Sequence, residues 1–370
     1  MDHRTLTENL PSNHPTVKFG KIGVLLINLG TPDATDPASI RRYLAEFLTD
    51  RRVIEWSRWL WYPILYGIVL NTRPRKVGKA YETIWNKEKD ESYLRTFTHS
   101  QALQLTNRLS DLPSVQVEWA MRYGQPSIRS RIEELQKSGC ERILLYPLYP
   151  HYAAATTATV NDESFRALMD LRWQPAIRTV PRYHDDLVYI DALAHSIESH
   201  FATLDWEPEI LLTSYHGIPM SYFTKGDPYH CQCQKTTRLL RERLGWSKER
   251  IMVTFQSRFG PEEWLQPYTD KTVEKLAREG TKKIAVINPG FVSDCLETLE
   301  EIAVEAKETF LHSGGEQFTH VPCLNDGTDG MKVIEHMVRK ELAGWVQSAL
   351  SQDDNRRAPR CQINQMAFSS

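Results

Sequence analysis

Short apolar runs alternate with longer amphipathic stretches along most of this chain. The first apolar run covers residues 22–29 and is almost continuous, which is typical of a parallel strand buried on both faces. Gly30 and Pro32 end this run, because glycine permits a sharp turn and proline cannot donate to a sheet. The next stretch spaces apolar residues three and four apart and predicts a helix through residue 47.

The same alternation continues along the chain and predicts eight strands with helices between them. The predicted strands are 22–29, 115–121, 142–147, 176–180, 209–215, 251–255, 283–288 and 318–321. The predicted helices are 40–47, 79–89, 100–109, 128–137, 162–170, 187–204, 235–244, 269–278, 293–310 and 331–350. Strands that alternate with helices in this way indicate an α/β fold.

The two halves of this pattern resemble each other. Four pairs of positions match at a constant separation of 141 residues: Ile132 and Val273, Leu135 and Leu276, Gly139 and Gly280, Ile143 and Ile284. The repeat predicts two similar Rossmann-like domains, each a four-stranded parallel sheet flanked by helices, with a cleft between them. We expect the domains at 19–190 and 191–330, a terminal helix at 331–350, and loose tails at 1–18 and 351–370.

One apolar segment does not fit the alternation of strands and helices. Residues 53–70 are rich in tryptophan and tyrosine, and basic residues flank them on both sides. A core helix broken at Pro63 explains the apolar residues. An exposed lip over residues 51–76 also explains the tryptophans and the basic flanks, because interfacial segments favour both. This second interpretation predicts that the lip covers an apolar ligand or rests on a membrane surface.

Composition and charge narrow the class of protein. The chain has 370 residues, is 41% hydrophobic and carries a formal net charge of −2, whereas a nucleic-acid-binding protein usually has a basic excess. Residues 1–18 lack the apolar run of a secretory signal, and no apolar stretch is long enough to cross a membrane. The six scattered cysteines are typical of free thiols. We therefore expect a cytoplasmic protein without a nucleic-acid partner, with peripheral membrane contact through the lip.

A histidine follows the predicted strand 209–215 directly. His216 precedes Gly217-Ile218-Pro219, which turns the chain at the edge where open α/β sheets bind their ligands. A buried histidine with satisfied hydrogen bonds is the commoner case for such a residue. Beside carboxylates, however, a neutral imidazole can bind a divalent metal ion or accept a proton near neutral pH.

Three carboxylates follow the predicted strand 283–288. Asp294, Glu297 and Glu301 are spaced i, i+3 and i+7 in the predicted helix 293–310, which places them on one helix face. A solvated acidic face is the simpler explanation, and Asp294 alone suits a helix N-terminus. Because the residues around them are mostly apolar, we interpret the row as functional and expect it to face His216.

Other motifs add little to this picture. Cys231 and Cys233 lie beside His230, but no fourth ligand is near them in sequence, so a structural metal site is the weaker interpretation. No glycine-rich phosphate-binding fingerprint follows any predicted strand, which disfavours a nucleotide-dependent oxidoreductase.

Four motifs together resemble those of the ferrochelatases, the family that inserts Fe²⁺ into protoporphyrin IX. They are Ser-Tyr-His-Gly-Ile-Pro at 214–219, Gly-Asp-Pro-Tyr at 226–229, Phe-Gln-Ser-Arg-Phe-Gly-Pro at 255–261 with Trp264, and Pro-Gly-Phe-Val-Ser-Asp at 289–294 with Glu297 and Glu301. The resemblance covers about residues 22–342. It implies two similar four-stranded domains with the porphyrin bound between them.

The resemblance also implies roles for individual residues. His216 and Glu297 would form the catalytic and metal-binding pair, and Asp294 and Glu301 an acidic path into the cleft. The implied porphyrin-pocket residues are Arg122, Tyr123, Tyr215 and Trp264. Fe²⁺ and protoporphyrin IX would be substrates, the lip would cover the mouth of the cleft, and no cofactor would be required.

The chain departs from the family pattern in three places. Residues 91–94 replace a Gly-Ser-Pro-Leu sequence that is frequent in relatives, and Cys295 stands where some relatives have histidine. The tail offers only Cys361, whereas relatives with a [2Fe–2S] cluster have several cysteines, so we expect no cluster. Three alternatives remain open: insertion of cobalt or nickel, a coproporphyrin substrate, and a tetrapyrrole carrier without catalysis.

Overall fold

The computed structural model describes residue 18 and residues 20–346, so the predictions for residues 1–17 and 351–370 lie outside the described part. The strands are β1 (Lys21–Gly30), β2 (Trp85–Asn86), β3 (Glu91–Ser92), β4 (Val115–Tyr123), β5 (Cys140–Pro147), β6 (Ala176–Thr179), β7 (Ile210–His216), β8 (Ile251–Gln256), β9 (Lys283–Ile287) and β10 (Gln317–Val321). Every predicted strand is confirmed, whereas the β2–β3 hairpin was not predicted.

Helices and three π-helical segments pack around these strands in the described residues. The helices are α1 (Pro37–Thr49), α2 (Arg58–Ile64), α3 (Leu70–Thr83), α4 (Tyr93–Arg108), α5 (Ile128–Lys137), α6 (Thr159–Met169), α7 (Leu187–Phe201), α8 (Met220–Thr224), α9 (Tyr229–Leu244), α10 (Thr269–Arg278), α11 (Leu296–Leu299), α12 (Lys307–His312) and α13 (Thr328–Leu342). The π-helical segments are Leu65–Val69, Ala154–Ala158 and Glu301–Ala306.

Both large sheets have the same strand order, which confirms the predicted duplication. The first sheet is ordered β4-β1-β5-β6 and the second β8-β7-β9-β10, with every neighbouring pair parallel. Gly139 and Gly280, which follow α5 and α10, have φ angles of 99° and 101°. The sequence repeat includes these two glycines because a residue with a side chain is strained in this conformation.

The carboxyl end of β1 reaches the region between the domains. Gly30 has a φ of 119°, and a Cβ atom there would lie only 1.9 Å from the carbonyl oxygen of Tyr123, so no side chain fits. Leu29, just before this turn, packs in a cluster that also contains Phe259 and Leu296 of the second domain. The two sheets are therefore joined by apolar contacts at their carboxyl ends.

The last helix differs from its prediction at the C-terminal end. α13 ends at Leu342 and not at residue 350, because Ala343 is extended with a ψ of 130° and Gly344 has a φ of 78°. α13 packs against α4 and α7, and these contacts fasten the helix to the first domain. The predicted domain boundary after residue 190 falls inside α7, which runs through it without a break.

Two histidines buried between the domains predict that acid destabilises the fold. His151 Nε2 donates to Thr236 Oγ1 at 2.8 Å, because that hydroxyl itself donates to the carbonyl oxygen of His184. The two histidine rings lie 5.7 Å apart. Burial lowers the pKa of His184 to about 4 and that of His151 well below its usual value. Below pH ~6.5 the unfolded chain binds more protons at these sites than the folded protein does. Each site should therefore lower the free energy of unfolding by about 1.4 kcal/mol per pH unit, until the pH reaches its folded pKa.

Urea unfolding at pH 7.5 and 5.5 measures this effect. We expect the free energy of unfolding to fall with pH in the wild type and to fall less steeply in His184→Gln, which cannot gain a proton. Equal pH dependence in the two proteins would show that His184 binds protons equally in the folded and unfolded states, which contradicts the lowered pKa.

Candidate active site

His216 lies at the carboxyl end of β7, where its imidazole has one free nitrogen. Its Nδ1 atom lies 2.6 Å from the carbonyl oxygen of Gly217 and donates a hydrogen bond to it, since a carbonyl can only accept. The proton on Nδ1 leaves the lone pair of Nε2 available to a metal ion or a proton. The residue is partly exposed.

The turn after His216 leaves little room for a side chain at Gly217. A Cβ atom on Gly217 would lie 3.0 Å from the carbonyl oxygen of Gln256 and 3.1 Å from Cε3 of Trp264. Trp264 is buried, and its ring centroid lies 6.4 Å from that of His216. The indole therefore packs beside the imidazole, and its place in the porphyrin pocket stays a prediction.

The predicted helix 293–310 is wrong as a single α-helix. The chain forms α11, then the π-helical segment Glu301–Ala306, then α12, and Asp294 precedes all three. Asp294 is buried and accepts hydrogen bonds from Thr298 Oγ1 at 2.8 Å and Asn325 Nδ2 at 2.7 Å. Asp294 thus fastens the start of α11 to a neighbouring loop, and the expectation that it lies in one row with Glu297 and Glu301 is corrected.

Glu297 and Glu301 are nevertheless close enough to influence each other. Burial, and then the charge of Glu297, raise the pKa of Glu301 to about 8, although hydrogen bonds from Ser257 and Gln256 oppose the rise. Glu301 therefore carries a proton at neutral pH, next to a second carboxyl group. A pair of carboxyl groups with one proton between them can take up and pass on a proton.

Glu297 faces the first domain. The preceding residue, Leu296, packs in the cluster that contains Tyr43 and Tyr81. Burial raises the pKa of both tyrosines, and the charge of Glu297 raises it further. The carboxylate is therefore near the wall that the first domain contributes, and the candidate site lies between the two domains.

Two of the predicted pocket residues form a buried network. Arg122 donates from Nε to Thr159 Oγ1 at 2.7 Å and from Nη2 to Asp50, and the hydroxyl of Tyr123 also donates to Asp50 at 2.9 Å. Burial alone would raise the pKa of Asp50, but hydrogen bonds from Thr159 and a backbone amide, with the charge of Arg122, hold it below its usual value. The positive charge of Arg122 is therefore partly neutralised by Asp50, which is not part of any motif noted in the sequence.

The predicted place of Tyr215 in the pocket is corrected by the structure. Adjacent residues of a strand point to opposite faces, so Tyr215 points away from the side occupied by His216. It is fully buried, packs beside Cys233 and Phe255, and its hydroxyl lies 2.9 Å from Thr237 Oγ1. Tyr215 therefore packs on the face of β7 that is opposite to His216.

The lip combines both interpretations of its sequence. Trp61 and Leu65 are buried, as a core helix requires, whereas Trp59 is 91% exposed and Leu60 67% exposed. Pro63 does not break the helix, which changes into the π-helical segment Leu65–Val69. The exposed apolar surface that the lip interpretation predicted is present.

The lip also reaches across to the second domain. Trp56 Nε1 donates to Glu262 at 2.7 Å, and the hydroxyl of Tyr222 donates to the carbonyl oxygen of Val53 at 2.9 Å. Lys225 pairs with Glu55. These contacts fasten the lip to the second domain, while Trp59 and Leu60 are turned outward.

The cysteines do not form a metal site in the described part of the chain. Cys231 is exposed and Cys233 is buried, so the two face apart on α9. Residues 18 and 20–346 contain no group of three histidine, cysteine, aspartate or glutamate side chains arranged to hold a metal ion. Cys361 lies outside the described residues, and the expected absence of a cluster stays a prediction. In the same described part, no helix has the length and apolar character needed to cross a membrane.

The ferrochelatase family model matches residues 21–342. The chain belongs to the ferrochelatase family. It is 74% identical over 341 residues to a ferrochelatase of Allorhizobium ampelinum, a match that covers 92% of this chain and 99% of that protein. A ferrochelatase of Brucella ovis is 65% identical over 333 residues, covering 90% of this chain and 95% of the relative. Ferrochelatases are lyases that insert iron into protoporphyrin in heme synthesis, and membership of this family makes the chain an enzyme.

Solved structures agree with this fold at lower identity. SirB from Bacillus subtilis with Fe³⁺ superposes with a TM-score of 0.52 at 13% identity, covering 88% of this chain and 97% of SirB. The sirohydrochlorin chelatase SirB of Bacillus subtilis subspecies spizizenii in complex with cobalt gives a TM-score of 0.50 at 10% identity, covering 88% and 98%. These similarities confirm the two-domain α/β fold of this ferrochelatase family member.

The structure adds site residues that the sequence analysis did not single out. Gln256 and Ser257 stand in a motif that was noted, but neither carries a charge, and only the structure shows their contacts with Glu301. Their position directly after the predicted strand 251–255 was the available signal. Asp50 lies 72 positions from its partner Arg122, and nothing in the sequence joins them.

Proposed function

We propose that the chain inserts Fe²⁺ into protoporphyrin IX between its two sheets, with His216 and Glu297 beside the pyrrole nitrogens. The observation that carries this proposal is the common contact of both residues with Gln256. His216 pairs with Gln256 along the β7–β8 register, and Gln256 Nε2 lies 2.6 Å from the carbonyl oxygen of Glu297. The strand end that carries His216 and the backbone of Glu297 are thus both fastened to Gln256.

Metal insertion must remove two pyrrole N–H protons for each Fe²⁺ that enters. The free Nε2 of His216 can accept one of them, and the carboxylate of Glu297 can accept the other. The two nitrogens that lose protons become anionic and bind the metal, which gives up its water ligands. Glu301 already carries a proton, so it must release that proton toward solvent before it can accept the one on Glu297. This two-step transfer is the role that we propose for Glu301 in the predicted acidic path.

Binding at the edges of the porphyrin can supply the energy that bends its ring. A planar macrocycle hides its nitrogen lone pairs. Metal insertion is therefore faster when the contacts at the edges of the porphyrin can form only with a bent ring. The Trp264 indole offers a flat wall for such a contact, and the inner face of the lip offers another. Arg122 adds positive charge near the first-domain wall, although Asp50 takes part of it.

A substrate comparison tests the proposed activity. Purified protein under anaerobic conditions should convert protoporphyrin IX and Fe²⁺ to protoheme, and should insert Zn²⁺ with loss of free-porphyrin fluorescence. Turnover should not require an added cofactor, and acid-labile sulfide should be absent from the protein. Faster turnover with coproporphyrin, or binding of protoporphyrin without any metal insertion, would contradict the proposal.

We further propose that a cytoplasmic form of the protein touches the membrane through the exposed residues of the lip. Replacing Trp59 and Leu60 together by serine removes two apolar side chains that the fold does not bury. We expect partition to liposomes to fall roughly tenfold or more, since each buried apolar side chain contributes about 1.5–3 kcal/mol. The melting temperature should not change.

The matched control is Leu103→Ser, because Leu103 is 56% exposed on α4, outside the lip. Its partition should equal that of the wild type. Unchanged partition of the Trp59→Ser, Leu60→Ser variant would remove the proposed membrane contact.

A further inference from the structure

Gln256 forms hydrogen bonds to the turn after His216 and to Glu297, the two residues of the proposed reaction. It is the last residue of β8, and its backbone carbonyl accepts a hydrogen bond from the amide of Gly217 at 2.8 Å, in the turn after His216. Its side-chain amide donates from Nε2 to the carbonyl oxygen of Glu297 at 2.6 Å. One residue thus links the turn that carries the imidazole to the turn that carries the carboxylate.

The amide group of Gln256 can point in only one direction. Its Oε1 atom accepts from Ser214 Oγ at 2.6 Å and from Asn288 Nδ2 at 2.7 Å. A reversed amide would bring its NH₂ group against the NH₂ group of Asn288 and its oxygen against the carbonyl of Glu297. Two repulsive contacts would replace two hydrogen bonds, so Nε2 is held facing Glu297.

The orientation of Asn288 follows from its own partners. Nδ2 of Asn288 also lies 3.1 Å from the backbone carbonyl oxygen of Ser214, so both of its hydrogens are used. Its Oδ1 lies 2.9 Å from Nε2 of His320, and that nitrogen must therefore carry the hydrogen. Donors run in one direction from His320 through Asn288 and Gln256 to Glu297. Hydrogen bonds arranged in this way polarise and strengthen one another.

The chain of hydrogen bonds ends where the helical geometry changes. α11 has four residues, and the π-helical segment begins at Glu301, only two positions after it ends. A single helical turn is not stable without outside contacts. The hydrogen bond from Gln256 therefore helps to fix the position of Glu297 relative to the sheet. Gln256 is 6% exposed, so water cannot replace it as a donor.

We infer that Gln256 is a positioning residue for metal insertion and that Asn288 and His320 orient it. The inference rests on the proposed function, because it concerns the distance between His216 and Glu297 during that reaction. The side chain of Gln256 is buried and hydrogen-bonded within the protein, so we expect its loss to lower turnover and to leave substrate binding unchanged.

Gln256→Leu tests the inference directly. The variant keeps the volume and removes the donor, and we expect kcat for Zn²⁺ insertion to fall at least about tenfold, as is usual when a residue that orients a metal-binding group is lost. KM for protoporphyrin should stay within about twofold of the wild-type value, because residues that act only on the reacting geometry change kcat. The matched control is Gln232→Leu, since Gln232 is 5% exposed and its side chain accepts from the amide of Tyr152 at 2.8 Å.

The control separates positioning from general stability. Both variants should lose melting temperature, but only Gln256→Leu should lose kcat. Equal kcat in the two variants, or a rise in KM that matches the fall in kcat, would overturn the inference. A wild-type protein that inserts no metal would instead contradict the proposed function.

A second set of variants serves if Gln256→Leu does not fold. Asn288→Leu removes the donor that orients Gln256, and the same change in kcat without a change in KM is expected. His320→Gln keeps a side-chain N–H for Asn288, whereas His320→Leu does not. We expect His320→Gln to retain most of the turnover that His320→Leu loses, and identical kcat values for the two would overturn the inference.

Discussion

Replacement of His216 by alanine should abolish metal insertion and leave porphyrin binding intact. Nε2 is the free nitrogen of the imidazole, because Nδ1 donates to the carbonyl oxygen of Gly217 at 2.6 Å. Loss of a proton acceptor in this position typically costs about 10²- to 10⁴-fold in rate. Stopped assays with Zn²⁺ measure the rate, and quenching of intrinsic tryptophan fluorescence measures protoporphyrin binding.

The fold should tolerate this substitution, since His216 is only partly buried at a strand end. His200→Ala provides the control, because His200 on α7 is also partly buried and its Nε2 lies 2.6 Å from Oγ1 of Thr319, which is on β10 of the second sheet. Its turnover should equal that of the wild type. Added imidazole should restore part of the activity of His216→Ala. Turnover of His216→Ala near the wild-type rate with either metal would end the assignment.

The architecture could be predicted from sequence because it depends on local patterns. The bounds of α5 and α10 agree with the predicted 128–137 and 269–278 to the residue, since strong helical periodicity ends at a glycine in each case. The repeat between the two halves then gave the duplicated sheet. Apolar periodicity and turn glycines depend on residues that are close together in the sequence. They can therefore be recognised without knowledge of the tertiary structure.

The acidic row shows where such reasoning stops. A spacing of i, i+3 and i+7 places residues on one face only if the helix is a continuous α-helix. Here Asp294 precedes α11, and a π-helical segment begins at Glu301, so the three carboxyl groups have three different environments. Long-range hydrogen bonds, such as those of Asp294 to the loop at Asn325, decide the outcome, and a pattern within one segment cannot reveal them.

The lip and the pocket residues also show that a sequence pattern does not determine which way each side chain points. Trp59 and Trp61 are two positions apart, yet the first is exposed and the second is buried with its indole N–H on the carbonyl oxygen of Leu48. Composition indicated an amphipathic segment but not which residues face outward. Tyr215 was placed in the pocket with its neighbour His216, although adjacent residues of a strand point to opposite sides.

Replacement of Glu297 by glutamine should lower turnover far more than it weakens porphyrin binding. The substitution keeps the size of the side chain and its backbone contact with Gln256, and removes only the ability to accept a proton and carry a charge. We expect kcat for Zn²⁺ insertion to fall about 10²- to 10³-fold, within the usual range for a lost acid–base group. The Kd for protoporphyrin should change less than about threefold, because an amide and a carboxylate fill the same space.

A second measurement on this variant checks the physical cause. The charge of Glu297 contributes to the raised pKa of Glu301, so the pKa of Glu301 should fall when Glu297 becomes neutral. Infrared titration of the carboxyl band can follow this change. Glu305→Gln is the matched control, because Glu305 follows in the same π-helical segment and its charge contributes less to the shift. A parallel loss of porphyrin affinity and turnover in Glu297→Gln would identify Glu297 as a binding residue, whereas loss of turnover alone supports proton transfer through the Glu297–Glu301 pair.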